Sequence, residues 1–91
     1  MTIRETGQGL LITQLPLEDM ALLALALPLT DPVQQVLTAL LEGRRVAVSD
    51  DAFEYKTYRR TAPLGVYRKF VAMERQLQEM GLARAKKGEK A

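Results

Sequence analysis

The residues able to do chemistry are few, and they gather at the ends of apolar runs. Ser49-Asp50-Asp51 directly follows the run Arg45-Val46-Ala47-Val48. If that run is a parallel strand, the triplet lies at its carboxyl end, where open α/β sheets bind ligands. Two carboxylates there would suit Mg²⁺. Against this, successive strand residues point to opposite faces, and either acid, or Ser49, serves equally well to cap a following helix. Two arginine pairs, Arg44-Arg45 and Arg59-Arg60, could clamp a phosphate or an acidic partner. The plainer alternative is solvated charge, partly paired with Asp50, Asp51 and Glu54. Tyr55 and Tyr58 are three residues apart and share a helix face, with Glu54 and Arg59 beside them. Tyr and Arg are the residue types that anchor interfaces; the alternative is an aromatic pair closing the core.

What is missing narrows the chemistry further. The chain has no cysteine and no histidine. Thiolate nucleophiles, disulfides and cysteine-bound metal clusters are excluded, and so are the commonest general base and the commonest metal ligand. Ser49 is the single serine, so a serine–histidine triad is impossible. Any catalysis would rest on carboxylates, Lys, Arg, Tyr or a cofactor, and a non-catalytic role is favoured. No catalytic, cofactor-binding or metal-binding residue is assigned, and no cofactor is expected. With 91 residues, 47% hydrophobic and 26% charged, the chain has the balance of one small globular domain. The net charge of +2 is uneven. Between positions 84 and 91, Arg84, Lys86, Lys87 and Lys90 stand against Glu89, and the body is close to neutral. A basic tail can touch nucleic acid, but solvation of a chain end is the simpler reading. Thr2 to Gly9 is polar and does not resemble a signal peptide. Met20 to Leu29 is far short of the ~20 apolar residues of a membrane span and holds Pro28. A cytoplasmic protein with no membrane contact is expected.

The elements follow from patterning. Residues 1–9 read as a flexible leader, 10–83 as a single small α/β domain, and 84–91 as a basic flexible tail. Leu10 to Leu15, ended by Pro16, reads as a strand. Leu17 to Leu27 reads as a helix, with Glu18 and Asp19 in its first turn and a body of alanine and leucine. It is apolar on every face, so it needs burial on nearly all sides. Thr30-Asp31-Pro32 starts a second helix, with Asp31 as the cap and Pro32 at the first position. Its stripe is Val33, Val36, Leu37, Leu40 and Leu41, and Gly43 stops it. Arg44 to Ser49 is the next strand. Strand, helical crossover and strand form a parallel βαβ unit. A short helix is expected over Ala52 to Tyr58. A long one, opened by Pro63 and stopped near Gly81, has the stripe Val66, Tyr67, Phe70, Met73, Leu77, Met80. That stripe reads as core, with helix-in-groove docking as its alternative. Leu82 to Ala85 either adds a strand or frays.

Two strands make a poor sheet, and a parallel pair is normally covered on both faces. Each exposed leucine forgoes roughly 1.5–3 kcal/mol of burial. The helix at Leu17–Leu27 therefore implies self-association, a bound partner, or a place as the C-terminal part of a larger α/β domain, and of these an oligomer or a bound partner is expected. Leu22, Leu25, Leu29, Tyr55, Tyr58 and Arg59 are the candidate interaction residues.

The order of these motifs carries a resemblance. A strand ends at Pro16 and leads into an alanine- and leucine-rich helix. Asp31-Pro32, Leu40-Leu41-Glu42-Gly43, Arg45-Val46-Ala47-Val48, Phe53-Glu54-Tyr55-Lys56-Thr57-Tyr58 and Thr61-Ala62-Pro63 follow. Over Leu10 to Leu82 this resembles the C-terminal part of uncharacterised ethanolamine- and propanediol-utilisation proteins of bacterial microcompartments. More loosely, Leu11 to Val48 is similar to the second half of a flavoprotein-type Rossmann domain. The first resemblance implies a non-catalytic assembly or interaction protein, on or within a microcompartment, whose partner is another copy of itself or another microcompartment protein. The second implies the C-terminal part of a flavin- or nucleotide-binding enzyme, but only Gly7-Gln8-Gly9 precedes the first strand, and no glycine-rich phosphate loop is present. A small basic nucleic-acid-binding regulator is the third alternative. It is disfavoured because Glu74 and Glu79 dilute Arg68, Lys69 and Arg75 on the long helix.

Overall fold

The computed structural model describes residues 1–85. The chain is a small mixed α/β domain: strands β1 (Thr2–Thr6), β2 (Gly9–Gln14), β3 (Arg45–Ser49) and β4 (Leu82–Ala85), with helices α1 (Leu17–Ala24), α2 (Asp31–Leu41) and α3 (Leu64–Glu79). A 3₁₀ helix spans Glu54–Tyr58. The strands lie in the order β1-β2-β3-β4; β2, β3 and β4 are parallel, and β1 is antiparallel to β2. The parallel βαβ unit expected from the sequence is present, and Leu82 to Ala85 is a strand. No described helix is long and apolar enough to cross a membrane.

The expected leader is instead an edge strand. Ile3 pairs with Ile12 and Thr6 with Gly9, and Gly7-Gln8 forms the hairpin loop between them. The Thr6 hydroxyl closes that loop by accepting from the backbone N–H groups of Gln8 and Gly9. Arg84 and Ala85, expected in the tail, belong to β4; Lys86 to Ala91 lie outside the described residues. The Met1 ammonium donates to the buried Asp19 carboxylate at 2.8 Å. Asp19 thus ties the edge strand to the first turn of α1.

Both crossovers step the same way across the sheet, and with one handedness they lie on one face. The core confirms this. Leu10 and Ile12 of β2, Val46 and Val48 of β3 and Leu82 of β4 pack against Met20, Leu23, Val33, Val36 and Leu77 of the helices. The alternate strand residues Leu11, Ala47 and Ala85 form a second, minor cluster. Ala47 and Ala85 need little cover on that side.

Helix ends differ from expectation in two places. Thr30, not Asp31, caps α2: its hydroxyl accepts from the Val33 N–H. Helix α1 stops at Ala24, three residues short of the expected Leu27. Ala26 adopts φ +55°. The Leu27 N–H donates to Leu22 O and the Ala26 N–H to Leu23 O, each at 2.9 Å. This is a Schellman closure with alanine where glycine is usual. Relieving the left-handed strain is expected to stabilise the fold: Ala26→Gly should raise stability by about 1 kcal/mol, read as a higher urea midpoint at unchanged m-value.

Candidate functional site

The carboxyl ends of the parallel strands hold most of the polar groups singled out above. Leu15 bridges to Phe53 beyond β2 and β3, its N–H donating to Ala52 O at 2.8 Å. This seats the 3₁₀ helix over the sheet end. The acids there are engaged locally. Ser49 Oγ donates to Asp51 Oδ1, and Arg84 Nε donates to Asp50 Oδ1. None of the three caps the 3₁₀ helix, whose first turn has no side-chain cap. Among the described residues no group of three or more acidic side chains is placed to hold a metal.

Tyr55 is the centre of this end, and it is not an interface residue. It is 4% exposed. Its ring meets Phe53 edge-on at 6.0 Å, stacks on Phe70 at 5.9 Å and tilts against Tyr67 at 5.3 Å. Its hydroxyl donates to Glu74 Oε1, and Lys56 Nζ lies 3.6 Å from the same oxygen. Burial, and then the hydrogen bond and charge of Glu74, push the phenol above its ordinary pKa. It stays protonated at neutral pH and is no general base. A shallow hollow of about 280 Å³ lies over Lys56, Glu74, Arg75 and Arg84. Glu74 is paired with Lys56, and Arg84 with Asp50. Of the charged groups there, Lys56, Glu74 and Arg84 are held in ion pairs.

The arginine pairs belong to different elements. Arg44 and Arg45 stand at the start of β3, and Arg59 and Arg60 follow the 3₁₀ helix that comes after its end. Arg44 reaches Glu5 of β1 at 3.4 Å, a partner from the segment expected to be a leader.

The remaining candidate residues divide. Leu22 packs against the core. Tyr58 is half-exposed and its hydroxyl donates to Glu54 Oε2 at 3.2 Å, while Arg59 is exposed beside it. Leu25 and Leu29 are 66% and 72% exposed. They are next in sequence to Ala26 and Pro28, which with Gln34, Leu37, Thr38, Leu40, Leu41 and Met80 line a groove of about 480 Å³. The Schellman closure at Ala26 ends the helix, and Ala26 and Pro28 of the connection that follows line this groove. Sequence reasoning missed Leu41. Counted into the core stripe of α2, it is 90% exposed, on the last turn at the groove wall. Met20, Leu23 and Ala24 of α1 are buried in the core, where α1 packs chiefly on α3 and α2, so the apolar excess expected there is smaller, yet Leu25, Leu27 and Leu29 remain uncovered.

Compared with protein-family models, with curated proteins and with solved structures, the chain matches none.

Proposed function

We propose that this protein is a non-catalytic interaction module that docks through the apolar face formed by the α1–α2 connection and the last turn of α2. The observation that carries the reading is the groove itself. No ionisable side chain lines it, Leu41 in its wall is 90% exposed, and Leu25 and Leu29, next in sequence to its lining residues Ala26 and Pro28, are largely exposed too. Contiguous exposed apolar surface on a small domain marks a site of association. The polar sheet end supports the same reading, because its acids are held in local pairs and its buried phenol is kept protonated. The bacterial-microcompartment setting belongs to this proposal and rests on the resemblance of motif order over Leu10 to Leu82.

A photo-crosslinking side chain tests the reading in microcompartment-bearing cells. Placed at Leu29, it should give an adduct of one defined mass, identified by mass spectrometry as another copy of the chain or as a microcompartment protein. Placed at Arg4, on the opposite sheet face beside Leu11, it should give none. Equal labelling from both positions, or none from Leu29, overturns the docking reading. An identified partner from outside a microcompartment removes the setting and leaves the docking face.

A further inference from the structure

We infer that the outward face of α3 is a second docking surface, and that its occupant is an acidic amphipathic helix of a partner protein, with carboxylates and aliphatic side chains along one seam. The inference stands apart from the groove, since it uses other residues and a charged contact.

The face has a repeat. Helix α3 buries Leu77 and packs Phe70, Met73 and Met80 against the core. Away from these, by the turn of the helix, run Leu64, Arg68, Val71, Arg75 and Gln78. Their spacing alternates between four and three residues, as along the seam of two paired helices. The seam is about 21 Å long. All five residues are exposed, Leu64 by 63% and Val71 by 39%. Leu64 and Val71 occupy one heptad position, and Arg68 and Arg75 the other.

Charge says what fits it. Among the described residues, neither the Arg68 nor the Arg75 side chain has an ion pair or a hydrogen bond. Glu74 answers neither of them. Its carboxylate accepts from the Tyr55 hydroxyl, lies 3.6 Å from Lys56 Nζ and is 12% exposed. Glu79, in the last turn, is the one exposed acid of α3. The surplus extends beyond the helix: residues 54–85 hold seven basic and three acidic side chains, and residues 1–53 three basic and seven acidic. A complementary occupant sets carboxylates opposite the arginines and aliphatic groups opposite Leu64 and Val71. One face of an acidic amphipathic helix supplies both at the same spacing.

Other occupants match less of the face. Pairing α3 with α3 of a second copy puts arginine on arginine in a parallel seam, and the seam holds no acid to answer them in an antiparallel one. A phosphate backbone takes up Arg68 and Arg75 and makes no use of Leu64 and Val71. A membrane surface calls for a broad apolar face, and two aliphatic side chains without an aromatic ring do not make one. Two heptads make a small interface, so the contact is weak, with a Kd of about 10 µM to 1 mM.

Fluorescence anisotropy with a labelled synthetic helix tests this on the purified full chain. The probe is about three heptads long, is held helical by a lactam bridge, and alternates leucine and glutamate along its seam. It should bind saturably at low salt and at least about threefold more weakly at about 0.3 M salt. The same helix with lysine for glutamate should not bind. Arg68→Glu and Arg75→Glu should each weaken binding at least about tenfold. Both side chains are exposed and unpaired, so circular dichroism and thermal midpoint should stay near those of the parent. The double variant should bind the lysine helix in place of the glutamate one, a reversal that a misfolded protein would not give. Leu41→Glu, in the groove, should leave binding unchanged. No saturation by about 1 mM probe overturns the inference, and so does binding indifferent to both arginine variants. Loss of binding in Leu41→Glu places the probe in the groove and overturns it too. A DNA duplex or a phosphatidylserine vesicle that binds more tightly than the probe at equal salt, and is lost in the same arginine variants, makes the face a phosphate surface and overturns the acidic helix. None of these results bears on the Leu29 crosslink, which decides the groove separately.

Discussion

Gly9→Ala is expected to cost about 3–5 kcal/mol, a large part of the roughly 5–14 kcal/mol available to a domain of this length. Gly9 opens β2 opposite Arg45 of β3, at φ +154°. A β-carbon built there falls 1.9 Å from the carbonyl oxygen of Arg45. The obstacle is backbone, and it belongs to a strand paired on both sides, with β2 and with β4. It cannot swing aside as a side chain would. Relief requires β2 and β3 to part at the point where the hairpin and the parallel pair meet. Gly7, two residues earlier, is the control: a β-carbon there meets nothing within 4 Å. Urea unfolding should show a sharply lower midpoint for Gly9→Ala and a shift within about 1 kcal/mol for Gly7→Ala. Similar midpoints for the two variants would sink the steric argument.

That glycine also marks where sequence reasoning stops. The parallel pair was legible because Leu10 to Leu15 is a short apolar run closed by Pro16, and Arg45 to Ser49 is an apolar strand after a glycine stop. The edge strand was not, since Thr-Ile-Arg-Glu-Thr is polar at every position but one. Its strand character comes from pairing with β2, which is a tertiary effect. The local signal was Gly7-Gln8, two residues between extended segments, a spacing that suits a hairpin. The end of α1 was hidden for a different reason. A Schellman closure is read from glycine, and here alanine holds the left-handed position, so the proline at 28 drew the boundary instead. The groove shares that obscurity. Its walls come from the α1–α2 connection, from α2 and from Met80 at the end of α3, and no sequence window contains all three. Leu41 satisfied the i, i+4 count of the α2 stripe from Val33 and Leu37, but the core lies against Val33, Val36 and Ala39, and the last turn of the helix has run past it. Tyr55 and Tyr58 share a sequence spacing and have opposite fates, because the 3₁₀ helix carries Tyr55 onto Phe70 and Tyr67 of α3 and leaves Tyr58 half-exposed.

The burial of Tyr55 makes an alkaline prediction. Below about pH 10, Tyr55→Phe should lower stability by about 1.5–3 kcal/mol, the worth of a hydrogen bond to a charged acceptor. Above pH 10 the difference between parent and variant should shrink. The reference phenol of an unfolded chain ionises near pH 10, while that of folded Tyr55 is raised above it by burial and by Glu74. Over that window the unfolded parent binds fewer protons than the folded parent, so parent stability falls as pH rises, by about 1.4 kcal/mol per pH unit. The phenylalanine variant has no such phenol and escapes this loss. Lysines and the other tyrosines titrate in both proteins and cancel in the comparison. Urea midpoints for the pair between pH 8 and about pH 11.5 measure the convergence; parallel curves would mean that the Tyr55 phenol ionises as freely in the fold as out of it. Glu74→Gln separates the causes. It removes the carboxylate charge, the smaller influence, and leaves burial, the larger one, so convergence should be reduced and not abolished.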